Sequence, residues 1–288
     1  MTPATIDEHA ARFLAATSEF NRGVEGLGLG DVSGYYWYHT IDLPHGLATP
    51  GLYDIREAVT AFPFPADMSG MHVLDVGSAT GFFAFEFEKR GAQVVSVELD
   101  SLNSLDRFPG QSIDQILAQI ERMIVGDSMI EGFTRKYSAD QLYFYLLEGP
   151  FSFCAKLLGS CVRRCYSTIC DLTPAKTGRD RFDLVFLGDV LLHTINPLEA
   201  LSAVAPMGET LVLTQNIPGS PADQPAMLWV GGDDPARDEV SWWWPNRACF
   251  DQLLKKFGFR EVVEAGRNRG TMRPTGYEYD RPVLLATR

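Results

Sequence analysis

The chain has 288 residues, 45% of them hydrophobic and 22% charged, which supplies enough apolar surface for a large core. A net charge of −12 argues against a nucleic-acid backbone as the main partner, because a protein that grips phosphates shows a basic face. No uninterrupted apolar run reaches the ~18 residues of a membrane span, and the N-terminus lacks the basic and apolar regions of a secretion signal, so a cytoplasmic protein is expected.

Residues 5–20, TIDEHAARFLAATSEF, place Ile6, Ala10, Phe13, Leu14 and Phe20 near one helical stripe, with acids in the first turn. The aromatic, turn-rich GYYWYHTIDLPHGLATPGLYDIR that follows has no clean period and predicts short strands and loops packed on a main domain. From Val73 the pattern becomes strand (HVLDVG), helix (FFAFEFEKR) and strand (AQVVSVEL), with Gly91 placed to end the helix as a C′ glycine.

Residues 101–160 interrupt this alternation with helices. SIDQILAQIERMI carries Ile113, Ile116, Leu117, Ile120 and Met123 at helical spacing behind a Ser112–Gln115 capping box. A second box, Ser138 with Gln141, opens ADQLYFYLLE, which Gly149-Pro150 is expected to stop; FSFCAKLLG is then a third helix closing on Gly159. The alternation resumes with strands CVRRCYST and FDLVFLG, helix PLEALSAVA, strand ETLVLTQN, helix NRACFDQLLKKFG, and strands REVVEA and PVLLATR.

The expected fold is therefore α/β, a doubly wound, mostly parallel sheet of seven strands with its ligand at the carboxyl ends of the strands. No helix separates the last two strands, which should pair antiparallel at one edge across GRNRGTMRPTGYEYD. Two units are expected: an N-terminal extension over 1–69 and a main domain over 70–288, with the helical insertion inside it. Five cysteines without CxxC spacing are expected as core thiols of a reducing compartment. The five histidines form no HxxxH or comparable pair, so no metal site is expected.

The turn after the first strand reads Asp75-Val76-Gly77-Ser78-Ala79-Thr80-Gly81. It is G-x-x-x-G, neither the G-x-G-x-x-G of a dinucleotide site nor a P-loop, and suits a ligand without phosphates. Gly77 lets the backbone pass close to an adenosine with an amino-acid body, and Asp75 offers a carboxylate to an ammonium group. Glu98, at the end of the second strand, is placed to accept from both ribose hydroxyls, with Asp100 as the fallback.

These residues resemble motifs I and II of the class I S-adenosylmethionine-dependent methyltransferases, and the likeness runs from about Gly70 to Arg288. FDLVFLGDVLLHTINP resembles the fourth strand of that superfamily, which runs into a loop beside the transferable methyl. A narrower likeness, in WYHTIDLPHGLATPGLYDIR, LDVGSATGFFAFEFEKRGA, LLGSCVRRCYSTICDLTP and WWWPN, is to the branch related to the tRNA uridine methyl- and carboxymethyltransferases. The resemblance implies S-adenosyl-L-methionine as cofactor, with Gly77, Ser78 and Gly81 at the turn and Glu98 on the ribose. Thr168, Ile169 and Cys170 would edge the adenine, and Leu187, Gly188 and Asp189 would lie under the methionine moiety. The carboxymethyl-transferring members hold a carboxylate with basic side chains, including a lysine upstream of motif I. This chain has no lysine before Lys89, leaving Arg22 or Arg56 as substitutes.

Methyl transfer to a small-molecule acceptor is the expected reaction, with no nucleic acid and no membrane as partner. His193, His39 and Tyr38 are the candidate catalytic residues; Trp37, Asp42, Tyr143, Trp243 and Trp244 are the candidates for acceptor binding. Two other reactions remain open. The cofactor itself could cyclise with release of methylthioadenosine, an outcome that tyrosines or carboxylates closing the pocket would favour. A tRNA wobble uridine could be the acceptor, which would require a contiguous arginine surface around Arg163, Arg164, Arg267 and Arg269.

Overall fold

Strand alternation sorts the apolar side chains onto two faces of one sheet. The computed structural model describes residues 6–128, 137–218, 224–233 and 241–288. Its strands are β1 (His72–Val76), β2 (Gln93–Glu98), β3 (Arg163–Tyr166), β4 (Phe182–Gly188), β5 (Gly208–Thr214), β6 (Met227–Trp229), β7 (Trp243–Pro245), β8 (Glu261–Met272) and β9 (Tyr277–Thr287). Seven of these form one sheet in the order β3-β2-β1-β4-β5-β9-β8, and β6 and β7 pair separately. The first five strands of the sheet run parallel; β9 joins β5 antiparallel, and β8 joins β9 antiparallel.

Along β4, Leu184 and Phe186 enter one core while Val185 and Leu187 enter the other. Each face is covered, as a parallel sheet requires. One core joins α2 (Phe82–Lys89) and α5 (Gly149–Leu158) to the N-terminal segment, whose Phe20, Val24 and Trp37 are buried there. The other core receives α7 (Pro197–Val204) and α8 (Arg247–Lys256). The first helix, α1, runs Ile6–Gly26, six residues beyond the expected end, with Phe13 and Phe20 buried and Leu14 exposed.

Both capping boxes of the insertion form. Ser112 and Gln115 exchange bonds of 2.9 and 3.2 Å ahead of α3 (Ile113–Ser128), and Ser138 and Gln141 do so at 3.0 and 3.2 Å ahead of α4 (Ala139–Tyr143). The side chains of Ile6 and Met123 lie outside the described residues. Gly149-Pro150 does not stop the helix, contrary to expectation. The chain passes from α4 through a π-helical turn, Phe144–Glu148, directly into α5, where Pro150 sits in the first turn and needs no donor. Gly149 serves packing instead, since a Cβ there would lie 2.7 Å from the Tyr35 ring.

The stretch expected to link the last two strands is itself strand except for the turn 273–276. β8 and β9 continue in register to Met272↔Tyr277, so Asn268 stands opposite Arg281 and Gly270 opposite Tyr279. Arg267 and Arg269 therefore lie on β8 of this hairpin. The cysteines form no disulfide; Cys154, Cys165 and Cys249 are buried, but Cys161 is exposed and Cys170 half-buried, so two of the five are not core thiols. No helix among the described residues is long and apolar enough to cross a membrane.

Candidate active site

A cavity of about 310 Å³ opens at the carboxyl ends of β1, β2 and β4. Its floor is the turn after β1. Gly77 holds φ 71°, and a Cβ there would meet Val190 Cγ2 at 2.7 Å, so glycine is needed for both backbone shape and the close approach of the loop after β4. Ala79 takes φ 47°, which turns its N–H toward the end of β2. There it donates to Glu98 Oε2 at 2.8 Å, while Leu99 N donates to Oε1 at 3.0 Å. Two backbone donors thus fix the carboxylate, and its remaining lone pairs stay available on the cavity wall.

Arg164 supports this turn from β3. It donates to Ser78 Oγ at 2.6 Å, Ser96 Oγ at 2.9 Å and Ala79 O at 3.1 Å, with its guanidinium 4.0 Å from the centre of the Phe151 ring. Asp75 lies beside it, 1% exposed, with Oδ2 unpartnered. Burial raises its pKa to about 7, against the pull of Arg164. Beyond Glu98 the wall is Leu99, Leu102, Leu105 and Asp106 on one side and Ser167, Thr168, Ile169 and Cys170 on the other.

The opposite end is walled by Tyr38, His39, Tyr53, Asp189, Thr214, Asn268 and Arg281. Asp189, at φ 51° just past β4, pairs with Arg281 of β9. Burial raises the Asp189 pKa and the Arg281 charge opposes that rise. Burial also raises the Tyr38 phenol well above its ordinary value, so it remains a neutral hydroxyl. His39 is pushed down to about 3 by burial alone, and its Nδ1 has no partner. It is a neutral, weakly basic imidazole packed 5.6 Å from the Phe82 ring. His193 is exposed in the short 3-10 turn Leu191–His193, on the cavity wall.

The sequence model of the family described as a methyltransferase domain matches residues 51–265. The chain belongs to that family, the class I S-adenosylmethionine-dependent methyltransferases. No curated protein matches it. Among solved structures, the N-terminal domain of EvdMO1 with SAH bound aligns at TM-score 0.50 and 15% identity, covering 94% of this chain and 96% of that one. The 1,6-didemethyltoxoflavin-N1-methyltransferase of Burkholderia thailandensis aligns at 0.43 and 14%, over 76% and 72%. Magnesium protoporphyrin IX methyltransferase from Synechocystis PCC 6803 aligns at 0.42 and 14%, over 77% and 75%. At 15% identity the likeness to the EvdMO1 domain is one of fold.

The methyltransferase's own residues fit its cofactor. A buried carboxylate with an unpartnered oxygen, Asp75, wants a cationic donor, and Glu98 keeps acceptor capacity for hydroxyls. Asp75, Gly77, Ser78, Glu98, Thr168, Ile169, Cys170, Gly188 and Asp189 all line the cavity. Leu187 does not, because strand alternation turns it into the opposite core. Gly81 does not either; it holds φ 93°, and a Cβ there would collide with Phe151 and Phe85 at 2.7 Å, so its constraint is backbone shape and packing. Asp100 is outside the wall and accepts from the Ser104 hydroxyl at 2.6 Å.

The residues expected for acceptor binding lie elsewhere. Trp37 is buried against Phe20, and exposed Asp42 pairs with Arg56 at 2.5 Å. Tyr143 donates to Leu99 O at 2.7 Å, supporting the wall from behind. Trp243 donates to Ile195 O at 3.0 Å and, with Trp244, forms part of the small hairpin that braces the loop carrying His193. Tyr53, Thr214, Asn268 and Arg281 were missed. Only the full length of the β8–β9 hairpin would have indicated the last two.

Proposed function

We propose that the protein transfers a methyl group from S-adenosyl-L-methionine to a small-molecule acceptor by in-line displacement. The observation that supports this reading is a cavity among the described residues with the Asp75–Glu98 floor at one end and a second polar chamber at the other. The cofactor supplies an activated methyl on a sulfonium. Asp75 would hold its ammonium, Glu98 its ribose hydroxyls, and Thr168 to Cys170 its adenine edge. Tyr38 and Tyr53 wall the far end, where ring faces attract a cation. Holding two reactants in line there supplies on the order of 7–11 kcal/mol of the barrier. His193, at the mouth, is the candidate proton acceptor; His39, with a pKa of about 3, is too weak a base at neutral pH and serves as wall.

Each of the arginines that a tRNA surface would need has a partner in the fold, though Arg269 keeps 66% of its side chain exposed. Arg164 lies under the cofactor turn, Arg163 donates to Thr177 O, and Arg267 and Arg269 both pair with Asp280. Arg22 is exposed away from the cavity, and Arg56 is held by Asp42 and Asp54. Methyl-tritiated S-adenosylmethionine, incubated with the protein and either a metabolite extract or bulk tRNA, should label only the metabolite fraction. Label in tRNA would reject the small-molecule reading.

One observation favours a second reaction. Tyr38, Tyr53 and Asp189 close the end of the cavity opposite the adenosine side, as intramolecular cyclisation of the cofactor would require. Release of methylthioadenosine in the absence of any acceptor separates the two.

A further inference from the structure

The chamber beyond Asp75 holds a charge pair where most enclosed pockets would hold apolar wall. Asp189 and Arg281 each keep 19% of their side-chain surface and lie against one another, so the one arginine on the wall among the described residues is neutralised. The other charged wall residues, Asp75, Glu98 and Asp106, are all acids. Two further groups on the wall point to a ligand. Asn268 Oδ1 and Thr214 Oγ1 are buried without partners, and Asp189 Oδ1 is unpartnered too. Asn268 and Arg281 are brought together because they are cross-strand partners on β8 and β9. Unpartnered acceptors are costly unless a donor reaches them.

We propose that this chamber is the acceptor site and that the Asp189–Arg281 pair restricts it to uncharged, hydrogen-bond-donating acceptors such as alcohols, refusing carboxylates. The inference rests on the methyltransferase reading. A carboxylate in the chamber would face the Asp189 carboxylate and an arginine whose charge is already used. An O–H group meets acceptors on Asn268, Thr214 and Asp189 that lack a donor. Asp189 is thus a specificity-determining residue: without its charge, Arg281 becomes a free cation in an enclosed space and the preference inverts.

The test needs no knowledge of the natural acceptor, because substituents on the cofactor's sulfur position probe the same chamber. Calorimetry would compare S-adenosylhomocysteine, sinefungin (which adds an amine) and the S-carboxymethyl analogue. The wild-type chain should bind sinefungin at least as tightly as S-adenosylhomocysteine, and the carboxymethyl analogue at least tenfold more weakly. Asp189→Asn should improve the carboxymethyl analogue at least tenfold relative to S-adenosylhomocysteine. Arg281→Met, which leaves the acid unpaired, should shift the ratio the other way, so one unfolded variant does not stop the test. Equal wild-type affinity for the carboxymethyl analogue and S-adenosylhomocysteine, or variants that leave the ratios unchanged, would overturn the proposal. Failure of all three ligands to bind would instead reject the cofactor reading.

Discussion

The Arg164 guanidinium lies 2.6 Å from the Ser78 hydroxyl, joining the third strand to the cofactor turn across the one intervening strand, β2. Its other donors reach Ser96 and Ala79, and Phe151 of the helical insertion stacks against it. One side chain therefore sets the turn and ties it to the insertion.

Arg164→Met should weaken S-adenosylhomocysteine at least tenfold, because the turn loses charge-assisted bonds worth about 1.5–3 kcal/mol each. Arg164→Lys should restore part of that affinity. Calorimetry alongside thermal unfolding checks it: affinity falling only in step with stability would make Arg164 a structural residue alone.

Glu98→Gln keeps size and removes charge. Its bonds from Ala79 N and Leu99 N set the geometry of the ribose site. Affinity for S-adenosylhomocysteine should fall about 10- to 100-fold, the range of 1.5–3 kcal/mol. Asp100→Asn, outside the cavity, should leave it within about twofold, which a matched titration would show.

Asp75 and His39 act in opposite directions on stability against pH. Asp75 titrates near 3.8 when unfolded and near 7 when folded, so the folded state holds its proton more tightly and this contribution is lost as pH rises through 7. His39 titrates near 6.5 unfolded and near 3 folded, so its contribution is lost as pH falls below 6.5. Compared with wild type, Asp75→Asn should gain more thermal stability at pH 8 than at pH 5, and His39→Gln more at pH 5 than at pH 8. Melting temperatures of the three proteins at both values test this directly.

Trp243→Phe removes the bond to Ile195 O and should cost about 1 kcal/mol of stability. Affinity for S-adenosylhomocysteine should remain within about twofold, since Trp243 does not line the cavity. Urea unfolding and calorimetry read the two effects separately.

Local chemistry made much of this legible. The alternation of strand and helix marked the sheet, the serine–glutamine pairs marked both capping boxes, and the Asp75–Gly81 turn with Glu98 marked one end of the cavity. What escaped depended on contacts distant in sequence. Gly149-Pro150 reads as a stop, yet the proline falls where a helix start tolerates it. Arg281 looks like an ordinary strand residue until the long hairpin places it opposite Asn268 and beside Asp189. The tryptophans invited an acceptor role because three adjacent rings cannot all be buried in one direction. Instead Trp242 fills a core position, 1% exposed, and Trp243 spends its indole N–H on the loop after β4.

The most direct measurement incubates the purified protein with S-adenosylmethionine alone and follows the nucleosides by mass spectrometry. Methyl transfer to an external acceptor predicts intact cofactor, bound one per chain, and no methylthioadenosine. Methylthioadenosine accumulating without an acceptor would contradict it and establish the cofactor as the substrate.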